Sequence, residues 1–401
     1  MAINHDEPSK FVYRFSDLSN SNSGFQTVPP PLTFNKHCNN ALRRYKDIIT
    51  EFNAKNVWDR YKKYANDYEL IYTSSSGLPS ISSYVSLSRS FYKLWEIMFD
   101  FRDEFLGLSD PAKKMRAVFL AEGPGGFVEA FSHFRKALFK TLHADMDDMF
   151  GMTLLSSNKN VPNWKLQQDF VKEYNIQLVY GSDGTGDLYN VDNIAYLVDK
   201  VGLNKCDFIT GDGGFDFSTD FNEQEDASLR LIASEIYAAL LLQAPGGSFI
   251  LKIFDIFNHT TIKLLFILRT CYDKVYIVKP LSSRPANSEK YIVCVNFKGA
   301  PTQFLTCLEH YAHSQSPECL CDIHPDHCFQ QDICHFNAYY TCKQVTSIIK
   351  TIFFIDLFEV DQRSFVENLK HQLERAVRWC HKYKVKINKK ALLYYKYEYL
   401  V

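Results

Sequence analysis

From Ile81 to Phe297 the chain repeats one unit: a short apolar run, a turn, then a helix-length segment. The apolar runs are Ala117–Ala121, Gln177–Tyr180, Asp207–Thr210, Ser248–Phe254, Lys274–Val278 and Tyr291–Phe297, with a shorter candidate at Phe150–Leu154. Most are continuous rather than alternating, as a strand must be when both of its faces are covered. Helical patterns separate them at Phe127–Phe139, Val191–Val201, Glu223–Gln243 and Thr260–Cys271. The third of these opens on acidic residues and stops before Pro245-Gly246-Gly247, a consistent start and end for a helix. Strands alternating with helices join as right-handed βαβ units, so the pattern predicts a doubly wound α/β sheet.

The flanks read differently. Residues 1–34 are polar and turn-rich and predict a flexible or surface-wrapping arm. Residues 35–80 predict a charged helical extension, 81–299 the α/β domain, and 300–401 a mainly helical extension containing a Cys/His cluster and a basic tail. Lys+Arg 45 against Asp+Glu 46 gives a net charge of −1, so contact with nucleic acid has to use a local basic face. No stretch approaches the roughly 18 apolar residues of a membrane span. Met1–Lys10 carries Asp6 and Glu7 and no apolar core, so no secretory signal is expected. Eleven cysteines without small-scaffold spacing fit free thiols in a reducing compartment, or a metal site. The expectation is a soluble intracellular protein. The triplet Asn258-His259-Thr260 is then a chance match to a glycosylation site.

Glu122-Gly123-Pro124-Gly125-Gly126-Phe127 follows the first strong strand and opens a helix. In an open α/β sheet, ligands sit at the carboxyl ends of strands beside such a turn, where glycines admit a close approach. A dinucleotide fingerprint needs a glycine at Val128 and a phosphate loop needs Gly-Lys-Ser/Thr; both are absent, so a smaller ligand or a mere tight turn remains. A second polar turn, Gly181–Asp187, offers carboxylates to an amine or ribose hydroxyls, or is simply solvated.

Asp212 stands just past a strand's carboxyl end, and Lys252 lies inside an apolar strand. A lysine there must be paired or functional, because an unpartnered buried charge is costly. Burial can also lower its pKa toward the range of a general base. Glu289 at the start of the final strand and Lys93 on a helix before the sheet read, taken singly, as exposed charges.

Together these stretches resemble the FtsJ-like ribose 2′-O-methyltransferases, and among them the cap-specific mRNA (nucleoside-2′-O)-methyltransferases of cells and large DNA viruses. The matching residues are Leu120–Phe127, Phe150–Leu154, Asp187-Leu188, Asp212–Phe215, Lys252–Asp255 and the long Lys279–Tyr291, with a weaker echo at Ala65–Glu69. The resemblance covers about residues 60–298. It implies a Rossmann-like class I methyltransferase fold, with a seven-stranded mostly parallel sheet containing one antiparallel strand. It further implies S-adenosylmethionine as cofactor and a catalytic tetrad of Lys93, Asp212, Lys252 and Glu289. In that tetrad Lys252, held partly neutral by Lys93 and by desolvation, takes the proton of a ribose 2′-hydroxyl. Cofactor contacts carried over are Ser88, Gly123, Pro124, Gly125, Gly126, Phe127, Asp187 and Asp212. Substrate contacts carried over are Asn222, Asn287 and Lys62. No metal is implied.

Arg284 reads either as a bidentate phosphate ligand or as half of a structural salt bridge. Lys382, Lys384, Lys386, Lys389 and Lys390, interleaved with Tyr383, Tyr394, Tyr395 and Tyr397, read as an RNA-tracking surface or as a solvated amphipathic face. Cys319, Cys321, His324, His327, Cys328, Cys334 and His335 match none of the paired Cys-x₂-Cys zinc spacings and enter no metal prediction. The expected substrate is capped mRNA, with methylation of the first transcribed nucleotide favoured by the Glu122–Gly126 and Asn287–Tyr291 forms. The alternatives are an rRNA or tRNA 2′-O-methyltransferase and a silent RNA-binding subunit. Other capping enzymes or the transcription machinery are expected partners. The nucleus or the cytoplasm is the expected compartment, a viral replication site being the cytoplasmic form.

Overall fold

The computed structural model describes residues 11–16, 33–54, 57–72, 78–139, 147–158, 161–215, 220–358 and 362–399. Its centre is a sheet of strands β1 (Phe11–Arg14), β2 (Arg116–Leu120), β3 (Asp148–Met152), β4 (Ile176–Val179), β5 (Cys206–Gly211), β6 (Gln243–Ile253), β7 (Tyr272–Lys279) and β8 (Lys290–Phe297). Their order is β1-β7-β8-β6-β5-β2-β3-β4. The pairs from β4 through β6 are parallel, and β8 inserts antiparallel between β6 and β7. β2 to β8 therefore form the expected seven-stranded sheet with one reversed strand.

The continuous apolar runs have the expected cause. Val118, Leu120, Ile209, Phe249 and Leu251 join the core on one face, while Ala117, Phe119, Phe208 and Ile250 join the core on the other. Helices α4 (Gly126–Phe139), α5 (Gln168–Glu173), α6 (Val191–Val201), α7 (Gln224–Leu242) and α8 (His259–Cys271) lie in the crossovers. Asn258 caps α8, its side chain accepting from the Thr260 N–H, so the glycosylation-like triplet is a helix start. The strand order reverses between β2 and β5, which places the turns after these strands side by side. The Asp212 N–H donates to the Leu120 carbonyl across that gap at 3.3 Å.

Most of the 1–34 arm lies outside the described residues, but Phe11–Arg14 form an eighth strand, antiparallel to β7. The run Phe11–Phe15 is β-prone but short and set in a polar arm, and the sequence reading passed over it; tertiary partners hold it in place. Tyr13 Oη donates to Asp332 Oδ1 at 2.7 Å, and the Ser16 N–H donates to Asp332 Oδ2 at 2.8 Å.

The flanking segments pack onto the sheet domain. Helix α1 (Thr33–Ala54) and the short α2 (Trp58–Tyr61) lie against α10 (His327–Phe358). Helix α3 (Ser90–Asp100) packs on α4, and α9 (Thr302–Ser314) on α7. In α11 (Gln362–Lys382) and α12 (Lys389–Tyr399), Trp379 and Tyr395 join the second core together with Tyr383. Tyr383 and Tyr395 are fully buried, so the basic tail does not present them as a base-stacking surface. Among the described residues no helix is long and apolar enough to cross a membrane, and no three metal-ligating side chains gather.

Candidate active site

Four charged side chains from distant parts of the chain meet above the β5–β6 end of the sheet. Lys93 projects from α3, whose other residues Phe91, Tyr92, Leu94 and Trp95 are in the core. Its Nζ lies 2.7 Å from Oε1 and 2.8 Å from Oε2 of Glu289, one residue before β8. Lys252, in β6, sets its Nζ 3.2 Å from Asp212 Oδ1 and donates to the Asp212 carbonyl at 2.5 Å. All four side chains are only 12–14% exposed. Tyr291 Oη donates to Asp212 Oδ1 at 3.2 Å, and Ser283 Oγ to Glu289 Oε1 at 3.1 Å.

The four charges shift one another in different directions. Burial raises the pKa of Asp212 against the pull of Lys252 and Lys93. Burial also acts on Glu289, but Lys93, Lys252 and Lys279 overcome it and hold that carboxyl well below its usual range. Burial lowers Lys93 despite Glu289 and Asp212. Lys252 departs from expectation. Burial pulls it down, yet Asp212, Glu289 and Glu235 outweigh burial, and its pKa is raised. Lys93 lies against Glu289 while Lys252 lies against Asp212, so each ammonium sees a carboxylate before it sees the other.

Beneath Asp212 lies a second acidic layer that the sequence reading missed. Glu235, on α7, is fully buried; its Oε1 accepts from the Gly213 N–H at 2.9 Å, while Oε2 has no partner among the described residues. Burial pushes it up to about 8. A Cβ on Gly213 would fall 2.7 Å from Glu235 Oε1, so glycine there makes room for the carboxyl. Glu122 is likewise buried, with Oε1 accepting from the Phe127 N–H at 2.7 Å and Oε2 unpartnered among the described residues. The readable signal was a carboxylate inside the apolar stretch Ile232–Leu242.

The glycine turn joins β2 to α4 through a cis Gly123–Pro124 bond, with Gly125 at φ +115°. It is closely packed. A Cβ on Gly123 would fall 1.9 Å from the Pro162 carbonyl oxygen, and one on Gly126 2.2 Å from Ser88 Oγ and Ser90 Oγ. Ser88 thus reaches the turn, its hydroxyl hydrogen-bonded to that of Ser90. The Pro124 carbonyl accepts from the Lys165 N–H at 3.0 Å. The Phe127 ring is in the core, tilted against Tyr291 at 5.9 Å, and only its backbone belongs to the turn. In the second turn Asp183 is used locally by Thr185 and Asn190, while the half-buried Asp187 accepts from the Tyr189 N–H at 2.9 Å.

Of the four expected substrate residues, Lys62, Arg284 and Asn287 line one cleft of about 160 Å³, with Arg89, Lys46 and Trp58. Asn222 does not line it; its amide donates to Asp47 on α1 at 2.7 Å, although its neighbours Phe221 and Gln224 do. Arg284 takes the salt-bridge alternative, with Nε 2.9 Å and Nη2 2.5 Å from the Glu69 carboxylate. Its planar fork is therefore filled from within the chain. Lys62 pairs with Asp59, and burial lowers its pKa. Arg89, missed by the sequence reading, adds a further cation beside them.

Known proteins resemble the chain over the sheet domain that carries these residues. Residues 86–297 match the family described as FtsJ-like methyltransferase. The chain is 29% identical over 355 residues to the zebrafish (Danio rerio) "Cap-specific mRNA (nucleoside-2'-O-)-methyltransferase 2", covering 85% of this chain and 46% of that protein. It is 37% identical over 190 residues to the Trypanosoma brucei brucei protein named "Cap-specific mRNA (nucleoside-2'-O-)-methyltransferase 1", covering 47% of this chain and 48% of that one. The human protein of that second name is 35% identical over 184 residues, covering 44% of this chain and 21% of its own length. The chain thus spans about half the length of the first relatives it matches, or less.

Proposed function

The chain belongs to the FtsJ-like methyltransferase family, and on that premise we propose that it methylates the ribose 2′-hydroxyl of a cap-proximal nucleotide of capped mRNA, the first transcribed one. The donor of this family, S-adenosylmethionine, supplies an electrophilic methyl group on a sulfonium. The residues present fit such a ligand. The turn at Gly123–Gly126 stands at the strand-order reversal, and Glu122 beside it holds a buried, unpartnered oxygen that suits a cationic or amino group. Ser88, Gly123, Pro124, Gly125, Gly126, the Phe127 backbone, Asp187 and Asp212 are the residues that would hold it.

The observation carrying the reading is the convergence of Lys93, Asp212, Lys252 and Glu289 from four separate elements into one largely dry site. Lys252 takes the hydroxyl proton. Asp212, Glu289 and Glu235 hold it as an ammonium, so the base is its minority form; a cationic donor bound beside them would oppose that charge and ease loss of the proton without abolishing the carboxylates' hold. Lys93, clamped on Glu289, keeps that carboxylate ionised and aimed. The protein's contribution is positioning and electrostatics, and the four groups titrate as a coupled set. The cleft bearing Lys62 and Arg89 leads the RNA backbone to them, with Asn287 on its wall and Arg284 held beside it by Glu69.

The test is transfer of a labelled methyl group to capped RNA. Lys252→Ala should lose about 10²–10⁴-fold in rate while still binding the donor. Undiminished transfer would reject the mechanism. Equal transfer to uncapped transcripts would reject the substrate, and mass mapping of the product reads which nucleotide carries the methyl.

A further inference from the structure

Helix α10 lies outside the family-matched residues, yet it touches the loop that carries Glu289. Tyr340 Oη donates to the Asn287 carbonyl at 3.1 Å. Gln344 Nε2 donates to the Ala286 carbonyl and to Ser288 Oγ, both at 3.2 Å. The buried Lys279 also donates to the carbonyls of Asn287 at 3.0 Å and Glu289 at 2.6 Å, and to the Asn287 side chain. The Tyr340 ring lies under two buried ammonium groups, 4.2 Å from Lys290 Nζ and 5.8 Å from Lys279 Nζ. The ring face thus adds a cation–π contact to ammonium groups that already donate to backbone carbonyls. It is fixed in turn by stacking on Phe336 at 5.6 Å and 7°.

We propose that Tyr340 is a positioning residue: its hydroxyl and ring, acting with Lys279, hold the Asn287–Glu289 turn so that the Glu289 carboxylate faces Lys93. This rests on the reading of Glu289 as part of the reacting site. The C-terminal extension is then part of the active site rather than an accessory to it. The turn has no regular structure of its own, and its carbonyls are held by side chains instead of by a strand ladder. Loss of one such tie lets the carboxylate move, and a displacement of about 1 Å can cost about 10²-fold in rate.

The experiment uses the full chain, S-adenosylmethionine and capped RNA, with kcat, KM and calorimetric donor affinity measured together. Tyr340→Leu should lower kcat by about 10–100-fold with donor affinity unchanged. Tyr340→Phe keeps the ring and should fall between Tyr340→Leu and the natural chain. Ile333→Ala, at a fully buried α10 position away from the loop, serves as the control for destabilisation. Unchanged kcat in Tyr340→Leu beside an inactive Glu289→Gln overturns the inference alone. An equal loss in Ile333→Ala overturns it as well, since the effect would then be packing. A fully active Glu289→Gln removes the reading of Glu289 and the inference with it.

Discussion

Glu235 offers a test that needs no substrate. Its carboxyl sits at no measurable exposure behind Asp212, and burial, opposed by the Gly213 N–H and Lys252, moves its pKa from 4.5 to about 8. An acid whose folded pKa is raised favours the protonated folded state, so its stability is fully present below the unfolded value and is lost as pH climbs through about 8. Each unit is worth about 1.4 kcal/mol, so the difference between about pH 5.5 and pH 8 comes to about 3 kcal/mol. Glu235→Gln removes the titration. Its amide oxygen still accepts from Gly213, and its new N–H₂ costs about 1–3 kcal/mol if unmet, independent of pH. Urea unfolding of both proteins at several pH values should show the variant gaining on the natural chain by about 3 kcal/mol across that interval. Titrating groups that do not interact with Glu235 cancel in the difference. Two stability curves running parallel from pH 5.5 to 8 would refute the argument that this carboxyl is buried uncharged.

Other outcomes follow from the same charges. Asp255, pulled down to about 2 by Lys46 and Lys290 against its own burial, anchors α1 to β8 through contacts of 2.5 and 3.4 Å. Asp255→Asn leaves two buried ammonium groups facing a neutral amide and should destabilise by about 3–5 kcal/mol, read by urea unfolding near neutrality. The contribution of Asp255 is present above 3.8 and lost as pH falls through about 2. In the cleft, Lys62→Ala should weaken RNA binding and make the dependence of log affinity on log salt shallower by about 0.7, one phosphate's worth on a single strand. A salt slope unchanged from the natural chain would place Lys62 off the RNA path.

The sheet was legible because its physics is local. Ala117–Leu120 or Ser248–Ile253 must be covered on both faces to tolerate such continuous apolar side chains, and the helices between them supply the cover. Val191–Val201 was readable residue for residue, with Asn190 as its cap. The strand at Phe11–Arg14 was not, because its stability comes from β7 and Asp332, far along the chain. Within the site, residue types on matched motifs identified the charged groups, but their pairing was not readable. That Lys252 meets Asp212, and Lys93 meets Glu289, depends on which side of the sheet crevice each element approaches. The same limit hid Glu69 as the partner of Arg284 and Tyr340 as a support for Asn287. Both contacts link elements that sequence spacing leaves unrelated.

Those pairings make the pH dependence of the reaction a sharper probe than any single deletion. Lys252 has to lose a proton to act, and its neighbours hold it protonated, so initial rates should rise with pH, approaching tenfold per unit while the base is the minority form. Glu235 works against this from below: each carboxylate it forms strengthens the field holding Lys252 charged, and its ionisation also weakens the fold. Rate and stability therefore move in opposite directions as pH rises through about 8. Initial rates with saturating donor and RNA should climb through that range while the activity surviving prolonged incubation falls. In Glu235→Gln the rise should persist and the loss on incubation should shrink, because the variant keeps the Gly213 acceptor and never acquires the charge. A flat rate profile between about pH 6.5 and 8.5 would mean that proton removal by Lys252 does not limit the reaction, and would turn Lys252 from base into anchor.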